Sequence, residues 1–270
     1  MKRKLLTLVL ALAMVLTMLP MTALAANGDV AAIGSTSYAT LEDALLAAKA
    51  GDTITLLANV ETNNIDDTSL ARLVISKPIT LNLNDKKIIS PDDMGKNSTN
   101  FAALYVAADT TINATATGGI DTGKNGGYGI NVISGATLTV NGGTYYGGGT
   151  AIQVQKGTLV INDGYFNCEP YGEPYGYKYL INCIDKAWKN GSAKVSIKGG
   201  SFERFDPADS ASENPNGNFV ASGYAAVKGG TEDLPIWTVE DHRVAVVNND
   251  VGYTTLNDAY AAANDGDTIT

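Results

Sequence analysis

An eight-residue pattern that occurs three times constrains the fold of this chain more than any other feature. The copies are LTVNGGTY at residues 138–145, LVINDGYF at 159–166 and VSIKGGSF at 195–202. Apolar and polar residues alternate in the first half of each copy, which predicts a strand with one buried face. The first two copies begin 21 residues apart. A unit of this length cannot bury its apolar face alone, so it must stack on its neighbours.

Stacking of such units predicts an all-β fold, namely a single-stranded right-handed parallel β-helix. Each strand then pairs with the strands above and below it at about 4.8 Å. Less regular coils are predicted upstream, at residues 73–89 and 103–121. An antiparallel sandwich is the competing architecture, because its short strands and frequent turns give a similar pattern.

A second repeat predicts how the stack is closed. Residues 38–55 match residues 253–270 with 12 identities in 18 positions. Thr40, Asp43 and Gly51 have the spacing of helix start and stop signals, so a capping helix is expected at about residues 40–50. Its apolar face, which covers the first coil, comprises Leu41, Ala44, Leu45 and Ala48.

The two repeats together predict the domain organisation. Residues 26–244 form one β-helix module, with coils at about 53–225 and closing strands at about 226–244. Phe219, Val220, Trp237 and Val239 are expected to close this end. Residues 245–270 are the start of a second module, and we expect this copy of the cap to be frayed or loosely docked.

The first 25 residues have the pattern of a signal peptide. Lys2, Arg3 and Lys4 precede an apolar run at residues 5–19, and small residues end at Ala25. This pattern predicts cleavage after Ala25 and export to the cell surface or the extracellular space. No later segment has the roughly 20 apolar residues of a membrane-spanning helix, so no membrane span is expected.

The charge of the chain excludes polyanionic partners. The formal net charge is −9, and loss of the three basic residues of the signal peptide makes it −12. Nucleic acids and anionic membrane surfaces bind basic proteins, so neither is an expected partner.

The repeats also carry a resemblance to a known family. Residues 38–57, followed by coils such as LTVNGGTYYGGGTAIQV at 138–154, resemble the pectin-lyase-like β-helix repeats of secreted and cell-surface proteins of Gram-positive bacteria. Residues 198–224 resemble the terminal coil of those proteins. The resemblance implies a non-catalytic, structural or adhesin-like module that contacts a cell-surface or extracellular glycan and further modules of the same parent chain. The same fold also hosts polysaccharide lyases and glycoside hydrolases, which are the alternative function.

The enzyme alternative requires acidic and basic residues in one groove. Hydrolases use paired carboxylates, and lyases use a basic residue beside carboxylates that bind calcium. The pairs Asp66–Asp67 and Asp92–Asp93 lie in polar, loop-like segments, where solvated turn residues are common. Glu203 and Arg204 belong to the best candidate cluster, which a surface ion pair explains equally well. We therefore expect no catalytic residue, no metal site and no cofactor.

Tyrosines are the candidate ligand-binding residues. The insertion at residues 169–179, EPYGEPYGYKY, is called the tyrosine segment below. Its Tyr171, Tyr175 and Tyr177, with Tyr145 and Tyr146 on the preceding coil, are predicted to stack on sugar rings, because insertions in repeat proteins commonly carry binding. The alternative is that these rings pack back against the coils.

Two cysteines, Cys168 and Cys183, flank the tyrosine segment. An exported protein permits a disulfide between them, which would close the loop. Cys183 aligns with Val132 and Val154 and is therefore expected to face the core. The alternative is two buried thiols that act as small apolar residues.

Overall fold

The computed structural model describes residues 28–62, 73–90, 101–122, 127–172, 175–209, 217–248 and 251–270. The predicted signal peptide and the pairs Asp66–Asp67 and Asp92–Asp93 lie outside these ranges. Within them, the helices are α1 (Leu41–Ala47), α2 (Asp185–Lys189) and α3 (Leu256–Ala262). The strands are β1 (Ala31–Ile33), β2 (Thr36–Tyr38), β3 (Thr53–Leu56), β4 (Val60–Glu61), β5 (Val74–Ile75), β6 (Ile79–Asn84), β7 (Lys87–Ile89), β8 (Ala102–Val106), β9 (Thr110–Ala114), β10 (Gly119–Asp121), β11 (Tyr128–Val132), β12 (Ala136–Gly147), β13 (Thr150–Val154), β14 (Gly157–Cys168), β15 (Ile181–Cys183), β16 (Ala193–Ile197), β17 (Ser201–Glu203), β18 (Tyr224–Gly230), β19 (Pro235–Asp241), β20 (Ala245–Val247) and β21 (Val251–Tyr253).

Strands dominate the structure, so the all-β prediction is confirmed. The largest sheet is mixed and has 14 strands, the second has five parallel strands, and the third is the antiparallel pair β20–β21. The described helices all lack the length and apolar character needed to cross a membrane.

Most parallel pairs belong to three ladders. The first ladder comprises β3, β6, β9, the first halves of β12 and β14, and β16. The second comprises β4, β7, β10, the second halves of β12 and β14, and β17. The third comprises β5, β8, β11, β13 and β15. Consecutive strands visit the first, second and third ladder in the same repeated order.

Alternation of apolar and polar residues places equivalent apolar residues in register on neighbouring strands. In the first ladder, one buried column comprises Ile54, Leu81, Ile112, Val140, Ile161 and Ile197. In the second ladder, the buried column comprises Val60, Ile88, Ile120, Tyr145, Phe166 and Phe202. The core is therefore built from like residues in contact along each ladder.

The glycine of the eight-residue pattern makes room for the aromatic residue that follows two positions later. An added Cβ at Gly143 would lie 3.1 Å from the Tyr145 hydroxyl oxygen, and one at Gly164 would lie 3.0 Å from the Phe166 ring. The Tyr145 and Phe166 rings stack with centroids 5.1 Å apart, and the Phe166 and Phe202 rings with centroids 5.0 Å apart. The pattern thus encodes an internal aromatic stack.

A column of asparagines follows the first ladder on its outer side. The side-chain amide of Asn113 donates to Asn82 at 2.8 Å, that of Asn141 to Asn113 at 2.9 Å, and that of Asn162 to Asn141 at 2.8 Å. Each side-chain amide therefore donates a hydrogen bond to the next asparagine of the column. These bonds link four neighbouring strands of the first ladder, at the position where the chain passes into the second ladder.

The N-terminal end is closed by the β1–β2 hairpin and α1. β1 pairs antiparallel with both β2 and β3. The hydroxyl of Thr40 accepts a hydrogen bond from the backbone N–H of Asp43 and caps α1. Leu41 is fully buried and Leu45 packs against the core. The predicted helix is therefore confirmed, although it ends at Ala47 rather than near residue 50.

The other end of the large sheet is closed by antiparallel strands. β19 pairs with β17, and β18 pairs with β19. Phe219 and Val239 are buried, while Val220 and Trp237 are partly buried. β18 and β19 lie close to residues 226–244, where the sequence predicts the closing strands.

The second copy of the cap repeats the first but has a different environment. β20, β21 and α3 are formed, and Thr255 caps α3 through the N–H of Asp258. Leu256 is 51% exposed, whereas its equivalent Leu41 is 0% exposed. Ala259, the equivalent of Ala44, is fully buried, so the two copies differ at the leucine position rather than over the whole helical face.

Candidate functional site

The tyrosine segment folds back on itself and forms a cluster of rings. The N–H of Tyr171 donates to the carbonyl of Gly176 at 2.8 Å. The rings of Tyr171 and Tyr179 meet edge to face, with centroids 5.1 Å apart, and those of Tyr175 and Tyr179 are 5.6 Å apart. Tyr175 is 49% exposed. The cluster therefore presents aromatic surface to solvent while its rings support one another.

Gly149, directly before β13, packs against this cluster of rings. A Cβ at Gly149 would lie 2.7 Å from the Tyr171 ring, and the φ of Gly149 is +138°. Only glycine combines this backbone conformation with so close an approach. Burial raises the pKa of the Tyr171 hydroxyl to about 12, so this tyrosine is neutral at physiological pH.

Beside the ring cluster, two tyrosines on the neighbouring strands β12 and β14 hydrogen-bond glutamates in the same way. Tyr146 is in register with Asn167, and its hydroxyl donates to Glu169, two residues further along. Tyr165 is in register with Ser201, and its hydroxyl donates to Glu203 at 2.7 Å, again two residues further along. We call these the tyrosine–glutamate pairs. Burial is the larger cause, and the hydrogen bond to Glu203 the smaller one, that raises the pKa of Tyr165 to about 12.

Arg204 connects the second pair to the tyrosine segment. Its guanidinium forms an ion pair with Glu203, and its carbon Cζ lies 5.0 Å from the centre of the Tyr177 ring. It also donates to the carbonyl of Asp233 at 3.1 Å. The Arg204 backbone has φ of +54°, which is uncommon for a residue other than glycine. These contacts hold Tyr177 on one side of a mixed acidic, basic and aromatic surface.

The predicted ligand-binding residues do not all lie on this surface. Tyr171, Tyr175, Tyr177 and Tyr146 are at least partly exposed. Tyr145 is fully buried in the aromatic stack. Neighbouring residues of a strand point to opposite faces, so Tyr145 and Tyr146 cannot both face a ligand. Tyr145 is therefore removed from the predicted set.

Tyr179, Tyr165 and Glu203 belong to the surface but were absent from the predicted ligand-binding set. The register of the strands is the sequence signal that identifies Tyr165 and Glu203. Once residues 159–166 are aligned with 195–202, Tyr165 falls next to Ser201, and Glu203 lies on the same face two residues later.

The two cysteines are both buried and are not joined by a disulfide. Cys183 is in register with Val154, as the sequence predicted. Cys168 lies at the end of β14, opposite Gly147. Burial, together with the nearby carboxylates of Glu169 and Glu203, raises the pKa of the Cys168 thiol to about 12.

We expect both thiols to resist alkylation in the folded protein at pH 8, because they are buried and the Cys168 thiol stays protonated. In denaturant without reductant, both are expected to react with iodoacetamide, and intact-mass spectrometry should show two added groups. A sample reduced before denaturation is the control. A mass gain that appears only in the reduced sample would contradict the structure.

A polysaccharide hydrolase or lyase needs carboxylates grouped at one site. No group of three or more His, Cys, Asp and Glu residues in these ranges is arranged to hold a metal ion. His242 lies outside the surface, 3.8 Å from a carboxylate oxygen of Glu240 near the C-terminal end. Glu169 and Glu203 are the carboxylates that the tyrosine–glutamate pairs bring near Cys168.

Comparison of the chain with protein-family models, with curated proteins and with solved structures found no match. The resemblance to pectin-lyase-like repeats therefore stays a prediction. What the chain does must be inferred from its own residues.

Proposed function

We propose that the chain is a non-catalytic, exported β-helix module, structural or adhesin-like, that binds glycan at the cell surface or in the extracellular space. The observation that carries glycan binding is the ring cluster of the tyrosine segment beside the tyrosine–glutamate pairs. Exposed rings stack on the apolar faces of sugars, and nearby carboxylates and hydroxyls bond to sugar hydroxyl groups. Tyr175 offers the ring face, while the partly exposed Glu169 offers acceptor oxygens.

The right-handed parallel β-helix is part of the proposal. It is supported by three parallel ladders that consecutive strands visit in a fixed order. Connections between parallel strands are right-handed in about 98% of cases, which sets the expected hand. An experimental structure with left-handed coils, or with antiparallel neighbours inside the ladders, would refute this part.

The cap repeat supports a role within a larger array. β20, β21 and α3 copy β1, β2 and α1, and the exposed Leu256 occupies the position of the buried Leu41. We therefore propose that further modules of the same parent chain are partners of this end.

Binding is tested by the triple variant Tyr171→Ala, Tyr175→Ala, Tyr177→Ala on a glycan array. Each ring that stacks on a sugar is worth roughly 1 kcal/mol, so the triple variant should weaken binding by tenfold or more. Tyr175→Ala alone should weaken it in part, and this half-exposed position avoids damage to the fold. The matched control is Tyr260→Ala, which removes a ring that is 66% exposed on α3. Equal binding by the wild type and the triple variant would exclude the tyrosine segment.

A polysaccharide lyase or hydrolase is the second candidate, because Glu169 and Glu203 both lie near the Cys168 thiol and Arg204 is adjacent. We favour the binding module, since Glu203 is nearly buried and already holds Arg204 and Tyr165. Release of reducing or unsaturated ends from any polysaccharide by the wild type, lost in Glu203→Gln, would establish the enzyme instead.

A further inference from the structure

The second copy of the cap, residues 245–270, is called the second cap below, and it reproduces the backbone of the first cap. β20 and β21 pair antiparallel, as β1 and β2 do. The loop after each helix also has the same form. The N–H of Asn264 donates to the Asp267 carboxylate at 2.7 Å, and that of Lys49 donates to the Asp52 carboxylate at 2.7 Å. The second cap is therefore shaped for the kind of partner that the first cap has.

The partner of the first cap is β6 together with the two residues before it. β3 lies between β1 and β6 in the sheet and is parallel to β6. The N–H of Gly51 donates to the carbonyl of Pro78 at 2.8 Å, and the N–H of Thr80 donates to the carbonyl of Asp52 at 2.9 Å. The loop after α1 thus binds the start of β6 through its backbone.

A lysine of the same segment satisfies the C-terminal end of α1. The described helices α1 and α3 both have no basic residue in the last turn. Nζ of Lys77 donates to the carbonyl of Leu46 at 2.8 Å and to that of Ala48 at 2.6 Å. Carbonyl groups at the C-terminal end of a helix carry partial negative charge and favour a cation. Ala261 and Ala263 hold the equivalent positions of α3.

The second cap exposes apolar residues that the first cap buries. Its exposed or half-buried residues are Leu256, Ala263 and Ile269, and their buried equivalents are Leu41, Ala48 and Ile54. Residues 244–270 also contain four aspartates and no lysine or arginine. A strand that brings a lysine and an apolar face therefore complements the second cap in charge and in surface.

We propose that the second cap binds a parallel strand with the pattern of residues 77–83, KPITLNL, from a further module of the parent chain. This inference rests on the array role proposed above and identifies the segment that is recognised. The lysine of the strand donates to the carbonyls of Ala261 and Ala263. The N–H of Gly266 donates to the carbonyl of the proline, as Gly51 does in the first cap. The apolar residues of the strand pack against the apolar residues of the second cap.

The test extends the full chain after Thr270 with a copy of its own residues 56–122, which carries the pattern once. Hydrogen exchange followed by mass spectrometry measures the protection of amides in α3 and in residues 264–270. Thermal unfolding and the glycan array check that the first module is unchanged.

Three variants are made in the appended copy only and carry the numbers of the residues that they copy. Lys77→Gln removes the cation. Lys86→Gln is its matched control, because Lys86 forms a surface ion pair with Asp85. The double variant Leu81→Asn, Asn82→Leu keeps the composition and moves the apolar side chain to the opposite face of the strand.

We expect the extension to slow exchange in α3 by roughly tenfold or more, because it covers Leu256 and pairs with residues 268–270. Lys77→Gln should lose about twofold to fivefold of this protection, and Lys86→Gln should lose none. The double variant should lose nearly all of it.

The inference is overturned if the extension leaves α3 as unprotected as in the original chain, or if every version of the extension protects it equally. Equal protection by all versions would leave the array role standing and would remove only the recognition of the pattern. Glycan binding is read from the tyrosine variants, so its failure does not alter the exchange result.

Discussion

Replacement of Phe166 by alanine should lower the free energy of unfolding by about 3–5 kcal/mol. Phe166 is fully buried and lies in the middle of the aromatic stack, between Tyr145 and Phe202. Its ring is nearly parallel to both neighbours, at 11° and 7°. Loss of the ring leaves a cavity and removes two stacking contacts at once, so the effect should exceed that of an aliphatic truncation in the same column.

Urea unfolding followed by circular dichroism measures this loss. Phe166→Leu is the conservative variant and should recover part of it, because leucine fills much of the cavity. Tyr175→Ala is the control, since it also removes a ring but at a position that is 49% exposed. A Phe166→Ala midpoint equal to that of Tyr175→Ala would mean that the stack is absent from the folded protein.

Gly119→Ala should be at least as damaging, with an expected cost of roughly 4 kcal/mol or more. Gly119 lies on β10, in register with Lys87 on one side and Thr144 on the other. A Cβ there would lie 1.8 Å from the carbonyl oxygen of Thr144. That atom belongs to the backbone of a central strand and cannot move aside, so the ladder itself must distort.

Backbone conformation adds to the cost. The φ of Gly119 is +150°, which residues with a side chain rarely adopt. Gly172→Ala is the matched control, because nothing lies within 4 Å of its added Cβ and its φ is ordinary. We expect Gly172→Ala to change stability by less than about 0.5 kcal/mol. Equal urea midpoints for the two alanine variants would refute the close approach of β10 and β12.

The repeated pattern predicted the columns of the core because period-2 alternation assigns each side chain to a face before any contact is known. Cys183 falls in register with Val154 for this reason. The Thr40 cap and the burial of Leu41 were also predictable, since helix start signals are local in sequence.

The site was less predictable, because it depends on contacts between strands that are distant in the sequence. Tyr145 is fully buried while Tyr146 is partly exposed, because neighbouring residues of a strand point to opposite faces. The bond from Tyr165 to Glu203 joins residues 38 apart in sequence. The tyrosine segment lies between these two residues in the sequence. No local pattern predicts the register of the strand that follows so long an insertion.

The amino-acid sequence alone determined the strand-rich class, the inward and outward faces of the repeats, and the existence of two caps. These properties follow from periodicity and from local start and stop signals. Only the tertiary structure decided that Arg204 reaches the Tyr177 ring and that the two buried cysteines are not joined by a disulfide. Such contacts are set by the register of strands and by the closure of loops, which depend on the whole stack rather than on any one segment.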